Sequence, residues 1–240
     1  MRGLVLAQTS AAIGLTTVRH QRISGWAGGE KIATVSWRTI QTGLQAGRST
    51  GRKRVTLPEL SVGLSLISEE YRQMNEQLHK VSTYGASGHR WVPEILEWLG
   101  GRRHVTILDY GCGKGTFKTA FYKSRHYSWY VSEYDPAVPG KDNLPSQSDF
   151  VVCTDVLEHI EPEHLDEVLQ HIQTLTRKEA FLVAATRPAK KTLPDGRNAH
   201  LIIETPEWWL ERIMKYFTIK KTHLDVKQEG EVLFIVEPRA

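Results

Sequence analysis

The run Ile107-Leu108-Asp109-Tyr110-Gly111-Cys112-Gly113-Lys114-Gly115 constrains this chain more than any other. A β-prone apolar stretch meets an acid, breaks into glycine at every second position, and continues into the amphipathic segment Thr116 to Ser124. Val105 to Tyr110 therefore reads as a buried strand, followed by a tight turn into a helix. Glycine lets the backbone turn sharply and lets another molecule approach it closely. In an open α/β sheet, ligands sit beyond the carboxyl ends of the strands, so this turn marks a candidate site.

The flanking sequence supplies the rest of such a sheet. Leu60 to Val81 carries apolar residues at helical intervals (Leu64, Ile67, Tyr71, Met74, Leu78), and Trp91 to Leu99 is a second helix stopped by Gly100-Gly101. Tyr127 to Tyr134 is β-rich, and Asp149 to Thr154 is a short apolar strand. Glu163 to Thr176 places Leu165, Val168, Leu169, Ile172 and Leu175 on one helical face. Ala180 to Ala185 is a strand, and Pro206 to Phe217 is a helix with proline in its first turn. Thr218 to Val226 and Glu231 to Pro238 read as two closing strands. This alternation predicts an α/β fold with a mostly parallel sheet and an antiparallel C-terminal edge hairpin. Only a short segment separates Asp135 from Asp149, whereas a parallel crossover takes about a dozen residues or more by itself. A strand–helix unit at this edge is therefore expected to be missing or reduced to the loop Pro139 to Ser148.

Residues 1–58 differ from the rest. They are rich in Gly, Ser, Thr and Arg, and carry nine basic residues against one acid, Glu30, while the remainder carries 22 basic against 26 acidic residues. This predicts a basic, poorly ordered extension ahead of a folded domain at 59–240, with N-terminal helices at 59–100 and the sheet at 104–238. Such an arm is either inert, an organelle leader, or a nucleic-acid-binding segment. No apolar run approaches the ~18 residues that span a bilayer, so no membrane association is expected. Cys112 and Cys153 make neither a disulfide framework nor a metal cluster, which fits a reducing, cytoplasmic setting, and no metal centre is expected.

The glycine spacing excludes two common ligands. A dinucleotide fingerprint needs G-x-G-x-x-G, but position 116 is Thr and the third glycine comes one residue early. No G-x-x-x-x-G-K-[ST] phosphate loop exists. Asp109, two residues before Gly111, would repel a phosphate and suits a cationic ligand. S-adenosylmethionine, with a sulfonium, an ammonium and no phosphate, has that character.

Asp109 to Gly115 resembles the first motif of class I S-adenosylmethionine-dependent methyltransferases, which have a Rossmann-like fold. Val151 to Ile160, with the run Asp155-Val156-Leu157-Glu158-His159-Ile160, resembles their fourth-strand motif in the form common among small-molecule enzymes. The resemblance covers roughly residues 84–237. The Tyr134-Asp135-Pro136 and Asp195 to Leu201 runs are also similar to those of uncharacterised phage and proteobacterial methyltransferases. The resemblance implies S-adenosylmethionine as cofactor. It implies that Asp109 orients the methionine ammonium, that Gly111, Cys112, Gly113, Lys114 and Gly115 form the loop around it, and that Asp135, or alternatively Glu133, binds the ribose. Asp155 and Val156 would lie beside the methionine or sulfonium end. Tyr84, with Trp91, is a candidate lid. The acid that contacts adenine after the third strand has no secure counterpart, Asp142 and Asp149 being the nearest.

Methyl transfer to a hydroxyl or ammonium needs a base, and Glu158, His159 and His200 are the candidates. Arg197 and Asn198, in the polar loop Leu193 to His200, are candidate acceptor contacts, although Pro194-Asp195-Gly196 is equally a self-sufficient turn. Trp208 and Trp209 are expected to anchor their helix. The chain lacks the Asn/Asp-Pro-Pro-aromatic motif of exocyclic-amine DNA methyltransferases and the Pro-Cys nucleophile of cytosine-C5 enzymes. The expected acceptor is a small or glycan-like molecule. An RNA or DNA acceptor reached through the basic arm, and a non-catalytic binding protein, remain the alternatives.

Overall fold

The computed structural model describes residues 66–81, 83–124, 129–223 and 230–239. The basic extension at 1–58, the start of the first helix, and the ends of the segments read at Tyr127 and Val226 lie outside the described residues.

A six-stranded sheet organises the chain, with strands in the order β2-β1-β3-β4-β6-β5. The strands are β1 (Thr106–Tyr110), β2 (Tyr130–Tyr134), β3 (Ser148–Thr154), β4 (Thr176–Ala185), β5 (Phe217–His223) and β6 (Glu231–Pro238). β1 pairs in parallel with β2 on one side and β3 on the other, and β3 pairs in parallel with β4. β6 is antiparallel to both β4 and β5. The reversed strand is therefore interior, and the edge strand β5 runs with the parallel set. β3 lies directly beside β1, and β2 is the far edge. Between Tyr134 and Ser148 no strand or helix forms, so the edge strand–helix unit is missing, as expected.

The parallel strands are apolar at nearly every position because both faces are covered. On one face α4 (Leu165–Leu175) and α5 (Pro206–Met214) bury Val168, Leu169, Ile172, Trp209 and Ile213 against Leu108, Val151, Cys153 and Leu182. On the other, α2 (Val92–Leu99) and α3 (Thr116–Lys123) bury Ile95, Leu99, Phe117 and Phe121 against Ile107, Val152, Phe181 and Val183. Adjacent strand residues thus serve opposite layers, the consequence of period-two alternation. Trp91 is fully buried in the second layer, not in a lid, and Trp209 anchors α5.

α1 (Glu69–His79) is capped by Ser68, whose hydroxyl accepts from the Tyr71 amide and donates to Glu161. Its apolar side, Tyr71 and Met74, packs on Leu193. This fixes α1 across the carboxyl ends of the strands and roofs the site.

Candidate active site

The turn after β1 is held by three glycines with positive φ, Gly111, Gly113 and Gly115. At Gly113 a side chain is impossible without rearrangement: a Cβ would stand 2.5 Å from the Gly85 carbonyl oxygen. The Lys114 amide donates to that same carbonyl at 2.8 Å. Asp135, at the end of β2, accepts from the Gly113 amide at 2.9 Å and, through its other oxygen, from the Ala137 amide at 3.0 Å. The loop is thus clamped from above by residues 83–87 and from the side by Asp135.

A cavity of about 430 Å³ opens beside this loop, over the ends of β1 and β3. Gly111, Asp135, Asp155, Val156 and Tyr84 line it, as do Glu158, His159 and His200. Asp109, Cys112, Gly113, Lys114 and Gly115 do not, because Gly85 lies over Gly113 and Asp109 faces the other layer of the sheet. Lys114 instead reaches the carbonyl of His79 at the end of α1.

Asp109 is buried beside Cys112 and Glu133. Burial, with the Glu133 charge next, pushes its carboxyl up to about 8. Glu133 itself pairs with Lys118 and Lys141 at 3.1 and 3.0 Å, and these two lysines hold it below its ordinary value against the opposing effect of burial. Of the two ribose candidates only Asp135 faces the cavity, and a carboxylate oxygen that accepts one amide keeps a second lone pair. Asp149 lies at the amino end of β3, bonded to Thr106 and Lys178, and the exposed Asp142 accepts from the Gly140 amide. Asp149 is thereby removed from any role at the cavity.

Asp155 has φ +57, a left-handed conformation that turns the chain off β3. Its Oδ2 is buried without a hydrogen bond, 3.9 Å from Arg90. Val156 packs directly against Gly111, at a position a glycine Cβ would occupy.

Glu158, His159 and His200 converge on the opposite wall, and their ligating atoms all lie within 4.8 Å of one another. Glu158 is fully buried, and His200 Nε2 stands 3.9 Å from its Oε1. Burial, with the Asp155 charge next, pushes the Glu158 carboxyl up to about 8. His159 Nδ1 is 2.7 Å from the Ala199 carbonyl, and His200 Nδ1 is 2.6 Å from the Arg187 carbonyl. A carbonyl only accepts, so each Nδ1 carries the proton and each Nε2 presents a lone pair. The rings meet edge to face at 4.7 Å. Burial, with His200 beside it, holds His159 down to about 3, and burial lowers His200 as well.

Asn198 does not reach the cavity wall. Its side chain bonds the Ala189 amide and carbonyl and the His200 amide, so it shapes the loop that delivers His200. Arg197 pairs with Asp195 on the exposed turn at Gly196. The turn chemistry of Pro194-Asp195-Gly196 thus accounts for both residues.

Several wall residues escaped the sequence reading. Asn75 on α1 accepts from the Tyr84 hydroxyl at 2.9 Å. Glu231, only 1% exposed, receives Arg187 at 3.0 Å and Arg90 at 3.4 Å. An acid opening the apolar strand Glu231 to Val236 was the available signal for the last cluster.

A family model described as a methyltransferase domain matches residues 70–230, well over half of the chain. The chain belongs to this methyltransferase family. Among solved structures it is similar to the 1,6-didemethyltoxoflavin-N1-methyltransferase of Burkholderia thailandensis, bound to its substrate and S-adenosylhomocysteine. The TM-score is 0.52 at 18% identity, over 71% of this chain and 90% of that one. It is also similar to the magnesium protoporphyrin IX methyltransferase of Synechocystis PCC 6803 with bound S-adenosylmethionine, with a TM-score of 0.47 at 16% identity over 70% and 94% of the two chains. No curated protein sequence matches. The six-stranded, mostly parallel sheet described above is the Rossmann-like one shared with the first of these neighbours.

Proposed function

We propose that this methyltransferase uses S-adenosylmethionine to methylate a hydroxyl or amine of a small-molecule or carbohydrate-like acceptor. The observation that carries the reading is the cavity at the strand ends. One wall is Gly111, Val156, Asp155 and Asp135, and the facing wall is the Glu158–His159–His200 cluster. The residues fit the cofactor: a buried carboxylate oxygen of Asp155, without a hydrogen bond and 3.9 Å from Arg90, faces a cavity whose neighbouring turn has no room for side chains. Asp135 and Tyr84 would hold its nucleoside, Asp155 and Val156 its methionine end, and Asp109 would act from beneath the loop.

When bound, S-adenosylmethionine supplies a carbon activated for direct displacement by its sulfonium. The chain's own contribution is to align the acceptor, exclude water and provide for loss of the acceptor's proton. Tyr84 and α1 roof the cavity, and the Tyr71 hydroxyl bonds the His159 carbonyl, tying the roof to the cluster. Among the described residues no helix is long and apolar enough to cross a membrane.

Calorimetry on the full-length chain, freed of co-purified ligand, tests the reading with S-adenosylmethionine and S-adenosylhomocysteine. Binding of both is expected, followed by release of S-adenosylhomocysteine with a panel of catechols, sugars and amines. Absence of cofactor binding would refute it. Turnover of RNA or DNA, lost with residues 1–58, would favour the nucleic-acid alternative instead. Cofactor binding with no turnover of any acceptor class would favour a binding protein.

A further inference from the structure

Two histidines whose tautomers are fixed by backbone carbonyls, and a fully buried carboxyl with no side-chain hydrogen-bond donor, meet in one corner of the cavity. We propose that Glu158, His159 and His200 form a binding site for a first-row divalent cation, such as Mn²⁺, Fe²⁺ or Co²⁺, on which an acceptor with two adjacent oxygens chelates. The proposal reverses the expectation of no metal centre. It rests on the methyltransferase reading only for the acceptor, not for the cation.

The case is geometric. Both Nδ1 atoms donate to main-chain carbonyls, of Ala199 and Arg187, which leaves a lone pair on each Nε2, and that of His200 stands 3.9 Å from Glu158. A second-nitrogen hydrogen bond of this kind sets ring orientation in metal-ligating histidines. Among the described residues neither ring hydrogen-bonds a side chain through Nε2, and His200 Nε2 stands 3.9 Å from Glu158. Glu158 is fully buried, and among the described residues no side chain hydrogen-bonds its oxygens; only its own amide and that of Ala185 act on them, outside ordinary hydrogen-bond geometry. A buried carboxyl of that kind is costly unless something completes it. The three donor atoms lie within 4.8 Å of one another. A cation about 2.1 Å from each would need them to close by roughly an ångström, a shift within reach of side-chain rotation. Asp155, whose Oδ2 is buried without a hydrogen bond and lies 3.9 Å from Arg90, stands close enough to act electrostatically on both Glu158 and His200.

Two imidazoles and one carboxylate are a donor set that favours first-row divalent ions and leaves coordination positions open. The open positions face the cavity, because the cluster is part of its wall. An acceptor with vicinal oxygens, a catechol or a cis-diol, would fill two of them. Its reacting hydroxyl would pass its proton to a water or hydroxide on a remaining open position of the cation, while the new O–C bond forms and the S–C bond breaks to leave a thioether. The cluster formed by Asp109, Cys112 and Glu133 is different, because Lys118 and Lys141 already occupy it.

The test uses untagged full-length protein stripped with chelator. Equilibrium dialysis against Co²⁺ and Mn²⁺ is expected to give one ion per chain, with visible absorption bands for Co²⁺. Affinity should fall at least a hundredfold in Glu158→Gln and in His200→Gln. In the Mn²⁺-loaded wild type, pulsed electron paramagnetic resonance should show coupling to imidazole nitrogen, which needs no variant to fold. Absence of binding by the wild type, equal affinity in folded variants, or absence of nitrogen coupling overturns the site. Calorimetry with S-adenosylmethionine on the same metal-free and loaded samples separates the two readings: lost ion binding with intact cofactor binding sinks only the cation, and the converse sinks only the methyltransferase reading.

Discussion

Replacing Gly113 by alanine should unlatch the roof over the glycine loop. Gly113 has φ +48, and the added Cβ would stand 2.5 Å from the Gly85 oxygen and 2.8 Å from its Cα. Both are main-chain atoms, so no side-chain rotation relieves the clash. The left-handed backbone costs alanine about 1–2 kcal/mol. Pushing Gly85 away forfeits the Lys114 amide bond to its carbonyl, about 1 kcal/mol, and forced overpacking adds about 1–3 kcal/mol. The total is roughly 4 kcal/mol, or on the order of 10 °C in melting temperature for a domain of this size. Gly140→Ala is the control: φ is +85, but nothing lies within 4 Å of the added atom, so only the backbone cost of about 1–2 kcal/mol applies. Scanning calorimetry on both variants, with hydrogen exchange across residues 83–88, measures the difference. If the two melt together and exchange at 83–88 is unchanged, the contact between Gly85 and Gly113 does not clamp the loop.

Two further outcomes follow from the charges. Asp109 has a folded value near 8, well above its ordinary 3.8, so its contribution to stability is fully present below about pH 4 and is lost as pH rises to about 8. Asp109→Asn should therefore gain on the wild type by about 1.4 kcal/mol per pH unit across that window in urea unfolding, and parallel curves would refute the buried, protonated acid. Glu231→Gln leaves Arg187 and Arg90 facing a neutral group in the wall. With both arginines partly exposed, the cost should be about 2 kcal/mol by denaturant melt, and a change under about 0.5 kcal/mol would show that the pair is screened.

The strands were readable because a sheet covered on both faces leaves continuous apolar runs, and the helices because α4 and α5 keep one apolar face. The missing edge unit was legible from chain length alone, since no crossover fits between Asp135 and Asp149. The position of the reversed strand was not, because two closing strands can add to an edge in either order. At the site, Glu158, His159 and His200 were found as residues near the mouth, but their convergence depends on the loop from Arg187 to His200 folding back through Asn198, a long-range arrangement with no local signal. The position of Asp109 beneath the loop was not legible either. Its spacing from the glycines suggests contact with a cation, yet strand alternation turns it toward the layer that holds Glu133. Arg197 and Asn198 looked like acceptor contacts because polar density does not distinguish a turn's own hydrogen bonds from free ones.

A sheet that stops at β2 also bears on discrimination. If Asp135 holds the ribose as proposed, the purine ring would lie against the turn at Pro136 and Ala137, at the edge where the sheet ends on β2. Selectivity for a base grows with the number of its edges that a protein leaves unpaired when the wrong one arrives. On that proposed placement, cofactor analogues enlarged or altered at the base should be accepted about as readily as the natural one, while changes at the sulfonium end, which would face Val156 and the histidine wall, should not.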